Sequence, residues 1–327
     1  MSRANWLDNL RYPGEPRPSN AFIYPDRARR MGLTSTDLSL LIELRKRRSA
    51  LLRVATVGRL TLHVHPREIA QLVKLYPKCS AIRSYRWGDN AEGVLKTITG
   101  AHEIVSIDYS DYEGATVVHD MNAPIGASHP ELIGQFDLVI DGGTLEHVFN
   151  VPMALGNVMD LCRIDGFVLM ANPSNNLCGH GFYQFSPELM YRVFSEANGF
   201  CIEKVLLTVC KVMSVERDPH PRSYQVADPA NTGRRIMIRN RRPVVIRTLA
   251  KKISSVGLNY GNVQQSDYSA MWADAQSAHH RRSPTENTLR LAFQKMPFGF
   301  QTLLLDWRAR MALRSKNVMS QWKGPLE

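Results

Sequence analysis

The chain has 327 residues, of which 44% are hydrophobic and 22% are charged, a balance typical of a folded globular protein. It holds no apolar run of the roughly 18–20 residues that a membrane-spanning helix needs, and its N-terminal segment lacks the apolar stretch of a secretory signal. The five cysteines form no Cys-x-x-Cys pair, which indicates neither a disulfide framework nor a cysteine-based zinc site. We therefore expect a cytoplasmic protein that does not bind membranes.

The net charge of +11 is unevenly distributed along the chain. Residues 101–210 carry 14 acidic and 3 basic side chains, whereas residues 211–327 carry 8 acidic and 20 basic ones and residues 1–60 carry 5 and 12. Basic flanks of this kind serve solubility and attraction to the acidic centre, or they recruit an anionic partner such as a nucleotide-linked substrate or nucleic acid. Composition alone does not separate these two interpretations.

The first hundred residues predict an extended arm, followed by a strand between two helices. Residues 1–30 are rich in Pro, Arg and Asn and lack periodicity, so we expect an arm there. Helical spacing of apolar residues predicts helices over Thr36–Arg48 and Pro66–Tyr76, the latter with proline at its start. Between them, the apolar run Leu51–Val57, which Gly58 closes, predicts a buried strand.

From about residue 100, short apolar strands alternate with helices. We predict strands over six runs: Glu103–Ile107, Ala115–Val118, Phe136–Ile140, Gly166–Ala171, Ile202–Val209 and Val244–Leu249. Helices are predicted over Val151–Cys162 and from Ser186 to Gly199, where serine caps the start and glycine the end. Continuous apolar strands that alternate with helices indicate a parallel sheet covered on both faces. In such sheets the ligand site lies at the carboxyl ends of the strands.

This pattern divides the chain into three parts: residues 1–49 as an N-terminal arm and helix, residues 50–252 as the α/β domain, and residues 253–327 as a partly helical C-terminal extension. Within the α/β domain, we interpret residues 211–242 as a lid inserted over the substrate site. In the extension, Asn259–His280 is polar and predicts irregular structure. The apolar stripe of a helix over Phe300–Lys316 is expected to dock on the core.

The segment 136–173, FDLVIDGGTLEHVFNVPMALGNVMDLCRIDGFVLMANP, resembles class I S-adenosylmethionine (SAM)-dependent methyltransferases. In those enzymes a strand of the form FDLVI is followed by a polar turn, Leu-Glu-His-Val, a helix, a glycine turn and a strand that ends near a proline. The segment 179–200, GHGFYQFSPELMYRVFSEANGF, resembles their next unit. The resemblance covers residues 101–210 and looks especially like methyltransferase-like proteins of bacterial polysaccharide and secondary-metabolite gene clusters. It implies a Rossmann-like, doubly wound, mostly parallel sheet with SAM as cofactor.

The resemblance implies that the nucleoside end of SAM lies at the second and third strand ends. There Asp108, which Tyr109 follows, would accept hydrogen bonds from the ribose hydroxyls. Asp120 would accept a hydrogen bond from the adenine amino group, and Met121 would pack on the adenine ring. For Asp108 and Asp120 the alternative is a structural role as a helix cap or turn residue.

At the methionine end, Asp141 and Gly142 would let the backbone approach the cofactor closely. The family's glycine-rich turn after the first strand is reduced to Gly58, which Arg59 follows, and Asp108 comes fifty positions later instead of roughly twenty. Either the pocket is rebuilt around Gly58 and Arg59, or the cofactor no longer binds.

Methyl transfer needs alignment of the reactants and, for a hydroxyl acceptor, a base. His147 and His180 are the candidate catalytic bases; the alternative for His147 is a helix-start histidine bonded to the backbone. Some similar methyltransferases hold a divalent cation with Glu-x-x-Glu-His. Here Gly143 replaces the first glutamate of that motif before Glu146 and His147, so we predict no metal. In the metal-assisted alternative, Asp141 substitutes for the missing carboxylate and His180 is an added ligand.

Three functions follow from these residues. The leading one is a methyltransferase that acts on oxygen or nitrogen of a small molecule such as a sugar, a glycan precursor or a natural product, anionic if the basic flanks recruit it. The alternative is a catalytically silent methyltransferase-like protein that binds a partner or scaffolds an assembly. The third is an RNA methyltransferase, but the basic runs lack interleaved aromatic residues, so nucleic acid is not the expected partner. The acceptor and the oligomeric state cannot be derived from the sequence.

Overall fold

A computed structural model of the chain describes residues 32–48, 51–210, 218, 221–232, 235–236, 240–277, 292–313, 319–322 and 324. The arm expected over residues 1–30 and part of the expected lid lie outside the described residues. One compact unit runs from Met31 to Glu327. The structure therefore differs from the expected division, because the boundary at residue 49 falls inside this unit.

The described chain begins with a short strand and a helix. Strand β1 (Gly32–Thr34) leads directly into helix α1 (Ser35–Arg47). The bounds of α1 are close to those of the helix predicted over Thr36–Arg48. Asp37 accepts hydrogen bonds from the backbone nitrogen and the hydroxyl of Thr34, so the two residues cap the start of α1. The apolar side chains of α1 are buried in the same cluster as those of the sheet, which is why this helix belongs to the α/β unit.

Within the described residues, a nine-stranded sheet forms the centre of this unit. Its parallel strands are β2 (Arg53–Val57), β4 (Glu103–Asp108), β5 (Val117–Val118), β6 (Phe136–Asp141) and β7 (Cys162–Asn175). Its antiparallel strands are β8 (Phe200–Val209), β9 (Arg222–Val226), β10 (Val244–Lys252) and β11 (Met319–Trp322). The order across the sheet is β11-β9-β8-β10-β7-β6-β2-β4-β5. Strand β3 (Thr61–His63) pairs with β1 in a separate two-stranded sheet.

Helices cover both faces of the main sheet. On one face lie α1, α2 (Pro66–Leu75) and α3 (Glu92–Thr99), and on the other α4 (Ile125–Ser128), α5 (Val151–Leu161) and α6 (Pro187–Val193). Successive side chains of β2 alternate between the two cores: Ala55 and Val57 pack with α5, whereas Val54 packs with α1. The predicted doubly wound α/β fold is therefore confirmed.

Shorter and later elements complete the described chain. The remaining helices are α7 (Pro229–Thr232), α8 (Ser266–Ser277) and α9 (Phe298–Leu313). A kinked 3-10 segment occupies Pro77–Ser84. Single 3-10 turns occupy Pro130–Leu132, Leu145–His147, Glu196–Asn198 and Tyr260–Asn262. The helix predicted from Ser186 ends at Val193, and the 3-10 turn before Gly199 replaces its last part. None of the helices in the described part is long and apolar enough to cross a bilayer.

The C-terminal third differs from the sequence-based expectations in three places. Arg222–Val226, expected within a lid, forms β9 and extends the sheet. Asn259–His280, expected to be irregular, contains α8. In α9, the side chains of Phe300 and Leu303 are both 67% exposed, so the expected docking of this stripe on the core is not observed.

Candidate active site

The parallel strands bring most of the predicted site residues to one edge of the sheet. Val57 in β2 pairs with Ile107 in β4 and with Asp141 in β6, so the loops that follow these three strands start side by side. Asp108 in turn pairs with Val118 in β5. Because parallel strands share the direction of their carboxyl ends, this edge carries the ligand site of an open α/β sheet.

Asp108 lies beside the turn that Gly58 makes after β2. Gly58 adopts a φ of 80°, which glycine tolerates without strain. The turn lets the backbone nitrogen of Arg59 donate a hydrogen bond of 3.2 Å to Oδ2 of Asp108. The guanidinium of Arg59 donates to the carbonyl oxygens of Glu113 and Gly114 in the loop after β4. The Arg59 side chain therefore joins the β2 turn to the β4 loop next to the partly buried Asp108.

Tyr109, the residue after Asp108, is 74% exposed. It is therefore open to a ligand that contacts the Asp108 carboxylate.

Asp120 and Met121 follow β5, and their surroundings differ from the expectation. Oδ1 of Asp120 accepts hydrogen bonds from the backbone nitrogen of Asn122 at 2.9 Å and from its side-chain nitrogen at 2.7 Å. These bonds hold the pKa of Asp120 below its usual range, and they make Asp120 a turn-forming residue. The Met121 side chain is buried in the core, so it does not present a face to an adenine ring in this structure.

Asp141, Glu146 and Asn172 form a buried polar group at the ends of β6 and β7. The side-chain nitrogen of Asn172 donates to Oδ2 of Asp141 at 2.6 Å and to Oε2 of Glu146 at 3.0 Å. Burial and the Glu146 carboxylate raise the pKa of Asp141 to about 7. Asn172 was not predicted as a site residue, although it is the first polar side chain after the predicted strand Gly166–Ala171. That position at the end of an apolar run is the signal by which it could have been found.

The loops that follow β2 and β6 contact each other at the crevice between these two strands. The order of the parallel strands reverses between β2 and β6, and ligands bind at such switch points. Here a Cβ atom on Gly142 would lie 2.8 Å from Cδ2 of Leu60, and the hydroxyl of Thr144 donates a 2.6 Å hydrogen bond to the carbonyl oxygen of Val57. Leu60 packs on Gly142 and Asp141 is fully buried. The close approach of the backbone at Asp141 and Gly142 to a cofactor stays a prediction.

The two candidate bases lie together on the loops that follow β6 and β7. The ring centroids of His147 and His180 are 5.3 Å apart, and Nε2 of His180 lies 3.5 Å from Oε1 of Glu146. The backbone nitrogen of Phe182 donates a 2.8 Å hydrogen bond to the carbonyl oxygen of Glu146, which fixes the loop after β7 on the 3-10 turn after β6. Partial burial lowers the pKa of His147, so its imidazole is neutral at pH 7.

The same residues form a set of candidate metal ligands. One donor atom each from Glu146, His147 and His180 lies within 4.8 Å of the others. Two imidazoles and one carboxylate are a donor set that zinc and iron accept in catalytic sites. His180 is thus brought to Glu146 and His147, as the metal-assisted alternative requires, whereas Asp141 is not part of this group.

No family model matches the chain, and no curated protein matches it. Among solved structures, a putative methyltransferase from Bacillus halodurans is similar at 11% identity with a TM-score of 0.38, covering 67% of this chain and all of that one. The YcgJ protein from Bacillus subtilis is similar at 12% identity and a TM-score of 0.38, covering 67% and 98%. The N-methyltransferase NodS from Bradyrhizobium japonicum, in complex with S-adenosyl-L-homocysteine, is similar at 9% identity and a TM-score of 0.36, covering 67% and 87%.

The strand order of this chain defines its fold. The parallel strands run β5-β4-β2-β6-β7, with two strands on each side of the first one. The later strand β10 is inserted antiparallel between β7 and β8. With helices on both faces of this sheet, the chain has a doubly wound α/β fold.

Proposed function

We propose that this protein is a SAM-dependent methyltransferase that acts on an oxygen or nitrogen atom of a small molecule. The observation that carries this proposal is that a carboxylate and a pair of histidines lie at the same edge of the sheet. Asp108 follows β4 beside the Gly58 turn, and the His147–His180 pair lies on the loops that follow β6 and β7. A carboxylate suited to a nucleoside and imidazoles suited to an acceptor thus flank the switch point between β2 and β6.

SAM, when bound, supplies an activated methyl group. The chain fits its nucleoside end, since Asp108 is partly exposed at a strand end and one of its oxygens is already oriented by the Arg59 backbone. At the methionine end, the Leu60 side chain packs on Gly142 beside the crevice. Binding of that end therefore requires the Leu60 side chain to leave Gly142, and the turn from Gly58 to Leu60 is the segment that has to move.

The chain's own contribution to the reaction is a proton acceptor at the acceptor side. His147 is neutral at pH 7, since burial lowers its pKa, and a neutral imidazole accepts the proton that a hydroxyl or amine releases. The buried Glu146 carboxylate lies beside His180. Its negative charge favours the protonated form of His147.

Calorimetric titration with S-adenosylhomocysteine tests the cofactor assignment. Wild-type protein should bind it, and Asp108→Asn should weaken binding by roughly tenfold or more, because a charged hydrogen-bond acceptor is worth about 1.5–3 kcal/mol. Asp111→Asn is the matched control, since Asp111 is an exposed carboxylate in the same loop. If folded wild-type protein produced no heat and no thermal shift, methyl transfer would be the wrong assignment and the catalytically silent alternative would replace it.

Metal-assisted methyl transfer is the second candidate, favoured by the three donors around His180. A divalent cation there would bind the acceptor oxygen and lower the pKa of its proton. Calorimetric titration of the apoprotein with Zn²⁺ or Mn²⁺ should then give one site that His180→Ala removes and His129→Ala leaves intact. Equal binding by both variants, or none by the wild type, would refute it.

A further inference from the structure

Two phenylalanines project from the surface next to the histidine pair. Phe149 is 74% exposed and Phe182 is 69% exposed. Their ring centroids lie 6.1 Å apart in an edge-to-face arrangement. Each is two positions after one of the paired histidines, so the four side chains His147, His180, Phe149 and Phe182 form one patch, which we call the acceptor patch.

The backbone under the acceptor patch is held in place. The hydroxyl of Tyr183 donates a 2.7 Å hydrogen bond to the carbonyl oxygen of Phe149, and the backbone nitrogen of Phe182 bonds to Glu146. Both loops are therefore fixed to each other while the two rings stay in water. Neighbouring exposed aromatic rings on a rigid base mark a binding surface rather than a packing contact.

The charges around the acceptor patch disfavour an anionic ligand. The patch itself adjoins the buried carboxylate of Glu146. A phosphate or carboxylate on the ligand would meet negative rather than positive charge there.

We propose that the acceptor patch binds a neutral aromatic alcohol, with its ring against Phe149 and Phe182 and its hydroxyl at the imidazoles of His147 and His180. This inference rests on the proposed methyl transfer and names the class of acceptor. An aromatic ring matches the two phenylalanine rings, since aromatic pairs gain about 0.5–1.5 kcal/mol beyond their buried area. A hydroxyl matches the imidazoles, whose ring nitrogens form hydrogen bonds with it.

Fluorescence titration with 2-naphthol, compared with 2-naphthyl phosphate, tests the proposal on the full-length protein. Wild-type protein should bind 2-naphthol in a saturable manner and bind the phosphate at least about tenfold more weakly, which corresponds to about 1.4 kcal/mol. Phe149→Ala and Phe182→Ala should each weaken 2-naphthol binding by roughly threefold to tenfold. Phe300→Ala is the matched control, since Phe300 is equally exposed in α9, and it should bind like the wild type.

Phe182→Leu separates an aromatic contact from a merely apolar one. It should bind 2-naphthol nearly as weakly as Phe182→Ala. The melting temperature of each variant is measured first, and only variants that melt like the wild type are compared. No saturable binding by the wild type, equal binding by the Phe149 and Phe300 variants, or tighter binding of the phosphate would each overturn the proposal. The Phe149→Ala variant should bind S-adenosylhomocysteine with the affinity of the wild type in calorimetry. A failure of the cofactor assignment would therefore appear in this titration and not in the 2-naphthol titration.

Discussion

Asp37 and Arg247 form a buried ion pair, although 210 positions separate them in the chain. Nε of Arg247 lies 2.6 Å from Oδ1 of Asp37, and their side chains are only 3% and 1% exposed. Nη2 of Arg247 also donates to the hydroxyl of Thr34 at 2.8 Å. The start of α1 is thereby tied to β10, a strand from the far end of the described α/β unit.

Arg247→Met should lower the free energy of unfolding by about 3–5 kcal/mol, because it leaves the buried Asp37 carboxylate without its countercharge. Urea denaturation measures this loss. Glu203→Gln breaks the more exposed pair with Arg47 and should lower the free energy by no more than about 1 kcal/mol. Equal losses in both variants would show that burial of the Asp37–Arg247 pair does not determine its contribution.

Asp141→Asn should become increasingly stable relative to the wild type as the pH rises from about 4 to about 7. The pKa of Asp141 is raised from 3.8 to about 7 in the fold, so the folded protein keeps this proton where the unfolded chain has released it. The stability that the proton contributes is complete below about pH 4 and falls by about 1.4 kcal/mol per pH unit until about pH 7. Asparagine does not ionise and escapes this loss.

Urea denaturation across this pH range measures the difference between Asp141→Asn and the wild type. Asp120→Asn serves as the control, because hydrogen bonds lower the pKa of Asp120, and its variant should show no such gain. A difference between Asp141→Asn and the wild type that stays constant with pH would contradict the raised pKa of Asp141.

Leu60→Ala should bind S-adenosylhomocysteine more tightly than the wild type, by roughly threefold or more, because it removes the side chain that packs on Gly142 and so raises the fraction of molecules with an open crevice. It should also lower the free energy of unfolding by about 2–5 kcal/mol, since Leu60 is buried. Leu62→Ala, another buried leucine of the same core, should lose stability without a gain in affinity. Calorimetry at a temperature where all three proteins are folded measures the affinities. A higher affinity in both variants would show that a loosened core, and not the lost contact between Leu60 and Gly142, causes the effect.

Methyl transfer by this protein should decrease at acidic pH with an apparent pKa below 6.5, the ordinary value for histidine. Burial lowers the pKa of His147, and only its neutral form accepts a proton. His147→Gln should remove this acidic limb and lower kcat by roughly 10²–10⁴-fold. His129→Gln, which changes a histidine away from the acceptor patch, should leave the profile unchanged. An acidic limb that persisted in His147→Gln would assign the base to another residue.

The strands of the parallel part could be predicted because they are buried on both faces and read as continuous apolar runs, as in Phe136–Asp141. Strands β9 and β11 could not, since Arg222–Val226 and Met319–Trp322 are short, partly exposed and largely polar. The helix α8 was missed for a related reason: Ser266–Ser277 lacks an apolar stripe.

Some features of the candidate site could also be predicted from the sequence, and others could not. Asp108, His147 and His180 follow predicted strands or the loops between them, so their common edge could be predicted from the parallel topology. The contact of Leu60 with Gly142 joins loops that are 82 positions apart. It depends on the register of β2 against β6 and on side-chain packing, neither of which is encoded in local sequence patterns.

The position of β10 between β7 and β8 has a consequence for synthesis on the ribosome. Translation delivers β8 before the strand that separates it from β7, and β10 ends only at Lys252. Until then, the facing edges of both strands are unpaired, and such edges associate with other chains. A chain truncated between residues 210 and 243 should therefore aggregate more readily than one that includes β10.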